Sequence, residues 1–243
     1  MSQSKRAGSE AILVNDASAA GSSSNKKPKK EKSMKVCVEG NIASGKTSFL
    51  RYFKNFSNVE VVEEPVHKWR NINGMNALAK MYEDPERWSL TLQTYVQLTM
   101  LEQHMEERKQ PLTLMERSIY SAKYCFVENL YQSGKMPEIE YHVLSRWFDW
   151  IMSRNYCDID LIVYLKTDPE VILERIHKRC RKEEQTISLS WLHTLHKLHE
   201  DWLIHQSKYK APAEVLVLNA NHDIEDMYRT YDEKKNEILC GYA

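Results

Sequence analysis

The sequence lacks the features that would place the chain in a membrane, in a disulfide-rich fold or on a nucleic acid. Its longest apolar stretches, such as Leu161–Leu165 and Val215–Leu218, are far shorter than the ~20 residues that span a bilayer. Its five cysteines are odd in number and never form a C-x-x-C pair, so we expect reduced thiols and no zinc site. Acidic and basic residues both number 34, so we expect no membrane partner and no nucleic-acid partner.

The first 33 residues have a different composition from the rest of the chain. They are rich in Ser, Ala, Asn and Lys, contain no aromatic residue, and include a basic run from Lys26 to Lys30. We predict a disordered tail over residues 1–33 and one globular domain over 34–243. The basic run is either a nuclear-import signal or a solvated lysine cluster. The tail has one Arg and two acids before residue 25, which is a poor match to a mitochondrial transit peptide.

Short β-rich runs alternate with helical stretches along the remainder of the chain. The predicted strands are Lys35–Glu39, Val59–Glu63, Leu112–Glu116, Leu161–Leu165 and Val215–Leu218. One predicted helix begins near Pro85, and another runs from about Pro137 through Trp150. This alternation predicts an α/β fold, with a five-stranded parallel sheet covered by helices on both faces. Ligands are then expected beyond the carboxyl ends of the strands.

The strongest motif is Gly40–Thr47, GNIASGKT, which matches G-x-x-x-x-G-K-[ST] directly after the first predicted strand. Its glycines let backbone N–H groups turn toward phosphates, Lys46 can reach the β and γ oxygens, and Thr47 offers a hydroxyl to Mg²⁺. The motif therefore predicts a site for ATP and Mg²⁺. The residues expected to contact ATP here are Gly40, Asn41, Ile42, Ala43, Ser44, Gly45, Lys46, Thr47 and Ser48.

Charged residues close the next two predicted strands. Glu64 follows the second strand, and Glu116 and Arg117 close the third. Because the carboxyl ends of parallel strands meet at one edge of a sheet, these side chains are candidates for a general base, a metal ligand and a substrate clamp. Each strand end taken alone could equally face solvent.

Three arginines lie close together where a helix runs into a loop. Arg175, Arg179 and Arg181 are followed by Glu184. Such a run is often a solvated charged face, but it could also close over a transferring phosphoryl group. The two interpretations remain open from spacing alone.

Several segments, in this order, are similar to those of one kinase family. They are 39–47 (EGNIASGKT), 64–69 (EPVHKW), 92–100 (LQTYVQLTM), 116–118 (ERS) and 198–204 (LHEDWLI). With them the chain resembles the deoxyribonucleoside kinases, and most closely the mitochondrial thymidine kinase and multisubstrate deoxynucleoside kinase branches. The resemblance covers about residues 35–236 and does not include the tail.

The resemblance implies roles for the charged residues. Glu64 is expected to be the general base for the substrate 5′-hydroxyl, with Arg117 holding both, and Lys46 completes the catalytic set. Glu116 is expected to join Thr47 in organising Mg²⁺. The arginines expected to neutralise phosphate charge are Arg175, Arg179 and Arg181.

The resemblance also implies a nucleoside site. Gln93 is expected to pair with the base, Trp69 and Phe126 to flank it, and Tyr82 with Glu184 to bind the 3′-hydroxyl. The full set implied is Glu64, Trp69, Met81, Tyr82, Gln93, Val96, Met100, Arg117, Ala122, Phe126 and Glu184. Without the resemblance, the apolar members of this set are better explained as core residues.

The function implied is ATP-dependent phosphorylation of thymidine, deoxycytidine and deoxyuridine in nucleotide salvage. The alternatives are a thymidylate-type nucleoside monophosphate kinase and a non-catalytic P-loop module. The resemblance also implies a homodimer. The apolar helix faces around Trp147 and Trp150 could form its interface or belong to the core, and periodicity alone leaves both open. It implies a mitochondrial location, whereas the tail leaves the nucleus or cytosol open.

Overall fold

A five-stranded parallel sheet forms the centre of the computed structural model, which describes residues 33–181, 184 and 187–242. The strands are β1 (Met34–Glu39), β2 (Val59–Val62), β3 (Leu112–Glu116), β4 (Leu161–Lys166) and β5 (Glu214–Asn219). Their order across the sheet is β2-β3-β1-β4-β5, and every neighbouring pair is parallel. All five predicted strands are confirmed, and no predicted bound differs from the observed one by more than one residue. The predicted tail, with its basic run, lies almost wholly outside the described residues.

Helices connect successive strands and pack against the sheet. They are α1 (Lys46–Phe53), α2 (Val66–Arg70), α3 (Ala77–Glu83), α4 (Pro85–Met105), α5 (Ile119–Ser121), α6 (Glu128–Gln132), α7 (Glu138–Met152), α8 (Pro169–Arg179), α9 (Leu189–Leu203), α10 (Ile224–Glu233) and α11 (Lys235–Ile238). A π-helical segment, Ala122–Val127, joins α5 to α6. The predicted helix near Pro85 is confirmed: Pro85 occupies its first turn, and the Asp84 side chain caps it by accepting from the Arg87 N–H. The helix predicted from about Pro137 is also confirmed as α7.

The strand β1 shows why helices are needed on both faces. Val36 and Val38 pack with the apolar face of α1, in a core that also holds Phe49 and Phe53. Cys37, which points to the opposite face, belongs to a second core with Trp202 of α9. Because β1 is buried on both sides, its sequence reads as a continuous apolar run rather than as an alternating one. The predicted α/β architecture is confirmed.

The fold brings three loops together at the carboxyl edge of the sheet. The segment after β1 leads into α1, the segment after β2 contains Glu64, and β3 ends at Glu116 beside Arg117. Since β2, β3 and β1 are adjacent in the sheet, all three loops open onto the same side.

Candidate active site

A cavity of about 590 Å³ lies at the carboxyl ends of β1, β2 and β3. It brings most of the predicted site residues together, from segments far apart in the sequence. Those that line it are Ile42, Ala43, Ser44, Gly45, Lys46, Thr47, Ser48, Glu64, Trp69, Met81, Tyr82, Gln93, Val96, Met100, Glu116, Arg117, Ala122, Phe126, Arg175, Arg179, Arg181 and Glu184. The cavity thus joins the phosphate loop to the predicted nucleoside site.

The first two residues of the loop, Gly40 and Asn41, are not among the described lining residues. A Cβ atom on Gly40 would lie 2.8 Å from the Leu165 carbonyl oxygen, so the close approach of β4 requires glycine. The Asn41 amide instead donates to the Leu192 carbonyl, at 3.0 Å, and its oxygen accepts from the Ile42 N–H. Both residues therefore support the loop on the side away from the cavity. Their direct contact with ATP stays a prediction.

Lys46 is buried at the start of α1, with its ammonium turned into the phosphate loop. Its Nζ donates to the carbonyl oxygens of Asn41, at 2.7 Å, and Gly40, at 3.2 Å. Burial, and next the positive charge of Arg117, lowers the pKa of Lys46 to about 7. An anion bound in the loop would favour the charged ammonium again, so this lysine is suited to bind phosphate oxygens.

Thr47 and Glu116 form a pair of oxygen donors next to the loop. The Thr47 hydroxyl lies 3.0 Å and 3.2 Å from the two carboxylate oxygens of Glu116. Within the described residues, no group of three or more His, Cys, Asp or Glu side chains could hold a metal ion. The pair nevertheless fits Mg²⁺, which takes oxygen ligands and is usually bound by one or two protein groups together with phosphates and water.

Glu64 and Arg117 face each other across the ends of β2 and β3. The Arg117 Nε lies 3.1 Å from the Glu64 Oε1, and the guanidinium sits 4.7 Å from the centre of the Phe126 ring. Burial raises the pKa of Glu64, and the Arg117 guanidinium acts against that shift. A carboxylate held in this way can accept a proton from a hydroxyl group placed beside it.

The end of α8 contributes a second charged wall. Arg179 binds Glu184 through two contacts, at 2.7 Å and 2.5 Å, and Arg181 lies 3.5 Å from the same carboxylate. Burial, and then the charge of Glu184, raises the pKa of Tyr82, and both residues line the same cavity. The structure thus brings together the two residues predicted to bind the sugar 3′-hydroxyl. Arg175 donates to the His222 carbonyl oxygen at 2.7 Å.

The deeper half of the cavity is apolar, with a few polar atoms aimed inward. Trp69 is fixed by a hydrogen bond from its indole nitrogen to Thr99, at 2.9 Å. Met100 and Ala122 are buried in the wall. The amide oxygen of Gln93 is buried and has no hydrogen-bond partner among the described residues. A buried acceptor without a partner is costly, so a ligand that offers a donor at this point would bind favourably.

The sequence analysis missed several residues that line the cavity. They are Arg51, Val66, Arg70, Leu78, Leu92, Ser118, Ser121, Trp191, His222, Asp223, Ile224, Met227 and Tyr231. Ser118 follows Arg117 directly, and His222 comes shortly after β5. Because ligands bind beyond the carboxyl ends of parallel strands, both positions could have been predicted from the sequence. Trp191, at the start of α9, had no local signal.

The chain is similar in sequence to known kinases. A family model described as deoxynucleoside kinase matches residues 36–240. The chain is 54% identical over 215 residues to human thymidine kinase 2, mitochondrial, covering 88% of this chain and 81% of that protein. It is 38% identical over 235 residues to human deoxycytidine kinase, covering 84% of this chain and 90% of that protein.

Proposed function

The chain belongs to the deoxynucleoside kinase family, and we propose that it transfers the γ-phosphoryl group of ATP to the 5′-hydroxyl of pyrimidine deoxynucleosides. Membership confirms the resemblance inferred from the sequence motifs, the P-loop kinase fold and the assignment as a nucleoside kinase of nucleotide salvage. The observation that carries the finer proposal is the Glu64–Arg117 pair, which shares one cavity with the phosphate loop.

The proposed chemistry assigns one proton transfer to Glu64. Its carboxylate accepts the proton of the 5′-hydroxyl while the hydroxyl oxygen bonds to the γ phosphorus and the bond to the β,γ-bridging oxygen breaks, releasing ADP. Arg117 holds Glu64 and the hydroxyl in line, and positioning of this kind accounts for much of the rate of phosphoryl transfer. Lys46, with Arg179 and Arg181, stabilises charge on the phosphate oxygens.

We assign the Mg²⁺ site to Thr47 and Glu116. ATP is the phosphoryl donor of the family, and a hard cation fits these two adjacent oxygen groups at the loop. When bound, Mg²⁺ supplies positive charge that offsets the negative charge of the phosphates. Thr47 and Glu116 themselves provide a hydroxyl and a carboxylate next to the phosphate loop.

The base specificity follows from the amide of Gln93 and the apolar wall around it. Because an amide can rotate to offer a donor or an acceptor, Gln93 can pair with thymine, cytosine or uracil. Met100 and Ala122 leave space beside the base without introducing a charge. Thymidine, deoxycytidine and deoxyuridine are therefore the proposed substrates, with Tyr82 and Glu184 at the 3′-hydroxyl.

A neutral acceptor is favoured over a nucleoside monophosphate. Glu64 presents a carboxylate to the acceptor site, and its closest cationic partner, Arg117, is already paired with it. A phosphate on the acceptor would be repelled by this carboxylate. Arg51 and Arg70 also line the cavity, so thymidylate belongs in the test.

The decisive experiment is an ADP-release assay with thymidine, deoxycytidine, deoxyuridine, deoxyadenosine, thymidylate and no acceptor. We expect turnover with the three pyrimidine nucleosides and little with the others. Preferential turnover of thymidylate would establish a monophosphate kinase instead. ATP binding without turnover of any acceptor would leave only a nucleotide-binding module.

We further propose a homodimer, formed through α7 and the adjoining part of α4. The exposed apolar side chains there are Leu98, Met105, Ile139, Val143, Trp147 and Trp150. The two helices pack against each other, and several exposed apolar side chains on neighbouring helices are typical of an interface between protein chains. Sedimentation of Trp147→Glu combined with Ile139→Glu tests this: the wild type is expected to sediment as a dimer and the double variant as a monomer.

The proposed compartment is the mitochondrion. The similar human thymidine kinase 2 is named as mitochondrial, whereas the run from Lys26 to Lys30 leaves the nucleus or the cytosol as the alternative. No helix in the described part of the chain has the length and apolar character needed to cross a membrane. Imaging of the full chain carrying a C-terminal fluorescent tag, with and without residues 26–30, distinguishes the compartments.

A further inference from the structure

Glu39 is a buried acid for which the chemistry above has no role. It is the last residue of β1, and none of its surface is exposed. Its Oε1 accepts a hydrogen bond from the Ser118 hydroxyl at 2.6 Å, whereas its Oε2 has no partner within the described part of the chain. Burial raises the pKa of Glu39 to about 7. An acid in this position destabilises the fold, so a functional explanation is worth seeking.

The segment that Glu39 contacts carries an unusual backbone. Arg117 has a φ of 63°, in the left-handed region that residues other than glycine rarely adopt. Such a conformation is strained and persists only where surrounding contacts hold it. The backbone on either side of Arg117 therefore depends on its neighbours.

The end of β1 supplies those contacts. The Arg117 N–H donates to the Val38 carbonyl oxygen at 3.0 Å, and the next residue, Ser118, donates its hydroxyl to Glu39. These two adjacent hydrogen bonds pin the turn after β3 to β1. Since β1 continues directly into the phosphate loop, the same strand end locates both the loop and the arginine.

We propose that Glu39 is a positioning residue for phosphoryl transfer, whose hydrogen bond with Ser118 holds the turn of Arg117 so that the guanidinium stays beside Glu64. The inference rests on the proposed function, because it assigns a role in that reaction. Arg117 is the residue that contacts the substrate, and Glu39 acts through it. A shift of about 1 Å in such a group can reduce the rate by about a hundredfold.

Three single variants test the hydrogen bond from both sides. Ser118→Ala removes the donor, Glu39→Met removes the acceptor at similar volume, and Glu39→Gln keeps an acceptor oxygen. With thymidine and ATP, we expect the first two to lower kcat about tenfold or more, while KM changes by less than about threefold. Glu39→Gln is expected to retain kcat within about threefold of the wild type.

Thermal unfolding separates positioning from general stability. Glu39→Met removes a buried carboxyl group, so its Tm is expected to equal or exceed that of the wild type although its kcat falls. Glu200→Gln is the matched control: Glu200 accepts from Tyr164 and Lys166 outside the cavity, so this variant is expected to lose Tm and keep kcat. The double variant Glu39→Met with Ser118→Ala is expected to have a kcat no lower than that of the slower single variant. Either change alone already removes the same hydrogen bond.

Two results would overturn the proposal: wild-type kcat in folded Ser118→Ala, or a loss in Glu39→Gln as large as in Glu39→Met. If Glu39→Met does not fold, Ser118→Ala decides the question. A wild-type protein that phosphorylates no nucleoside would refute the proposed function itself. The absence of activity is measured on the wild type alone, whereas the role of Glu39 is measured by the ratio of variant kcat to wild-type kcat.

Discussion

The Arg117 Nε atom lies 3.1 Å from the Glu64 Oε1 atom, and this contact joins the turn after β3 to the segment after β2. Burial raises the pKa of the Glu64 carboxyl, while the guanidinium acts against that shift. Burial thus strengthens the affinity of this carboxyl for a proton, and the guanidinium limits the effect. A base of this kind, beside a phosphate loop, is what transfer to a neutral hydroxyl requires.

Glu64→Gln is expected to lower kcat by about 10²–10⁴-fold with little change in thymidine binding, because a general base acts mainly in the transition state. Steady-state kinetics and calorimetric titration with thymidine measure the two effects. Glu63→Gln, at the exposed neighbouring position, is the control and is expected to retain activity. If Glu64→Gln raises KM and leaves kcat unchanged, Glu64 is a binding residue.

Lys46→Ala is expected to abolish measurable transfer, since Lys46 is the lysine of the phosphate loop and can place a full charge on the β and γ oxygens. Thymidine affinity is expected to change little, because the nucleoside half of the cavity is intact. The exposed Lys54, directly after α1, provides the comparison when it is changed to Ala. Near-normal turnover in Lys46→Ala would contradict the assignment of the loop.

Met100→Arg combined with Ala122→Asp is expected to reduce thymidine kcat/KM at least about tenfold, or about 1.4 kcal/mol. Both positions are buried in the cavity wall, so a charged pair there removes apolar space beside the base. The changes are combined because a single buried charge would lack a partner. Deoxyadenosine activity is expected to rise relative to thymidine activity.

The specificity control is Met75→Arg, which makes the same substitution at an exposed methionine outside the cavity. It is expected to leave the ratio of thymidine to deoxyadenosine turnover unchanged. An unchanged ratio in the folded Met100→Arg, Ala122→Asp variant would show that these residues do not face the base.

Glu39→Gln is expected to stabilise the protein more at pH 8 than at pH 5. Burial raises the pKa of this carboxyl from 4.5 to about 7, so above pH 7 the folded state must ionise a group that ionises readily in the unfolded chain. The wild type therefore loses stability as the pH rises from about 4.5 to about 7, by on the order of 3 kcal/mol at most.

Thermal unfolding of the wild type and Glu39→Gln at pH 5 and pH 8 measures this dependence. The pKa of Glu200 is shifted in the opposite direction to that of Glu39: hydrogen bonds from Lys166 and Tyr164 outweigh burial and lower it. Glu200→Gln is therefore expected to lower Tm at both pH values. Equal Tm differences for Glu39→Gln at the two pH values would contradict the buried-acid description.

The alternation of strands and helices was predictable because each element has its own local signal. Apolar runs bounded by charged residues marked the strands, and the glycines with Lys46 and Thr47 marked the phosphate loop. The meeting of Glu64, Glu116 and Arg117 also followed from sequence, since parallel strands place their carboxyl ends at one edge. The nucleoside residues, in contrast, came from family resemblance, because their apolar side chains look like core residues.

The amino-acid sequence by itself determined the fold class, the phosphate loop and the charged strand ends, because these depend on short-range periodicity and on chain order. Only the tertiary structure turned Asn41 toward Leu192, joined Ser118 to Glu39, and brought Trp191 to the cavity. Such contacts join segments far apart in the chain. They depend on how whole helices and strands pack against each other. The local sequence around a residue does not specify which distant side chain that residue will contact.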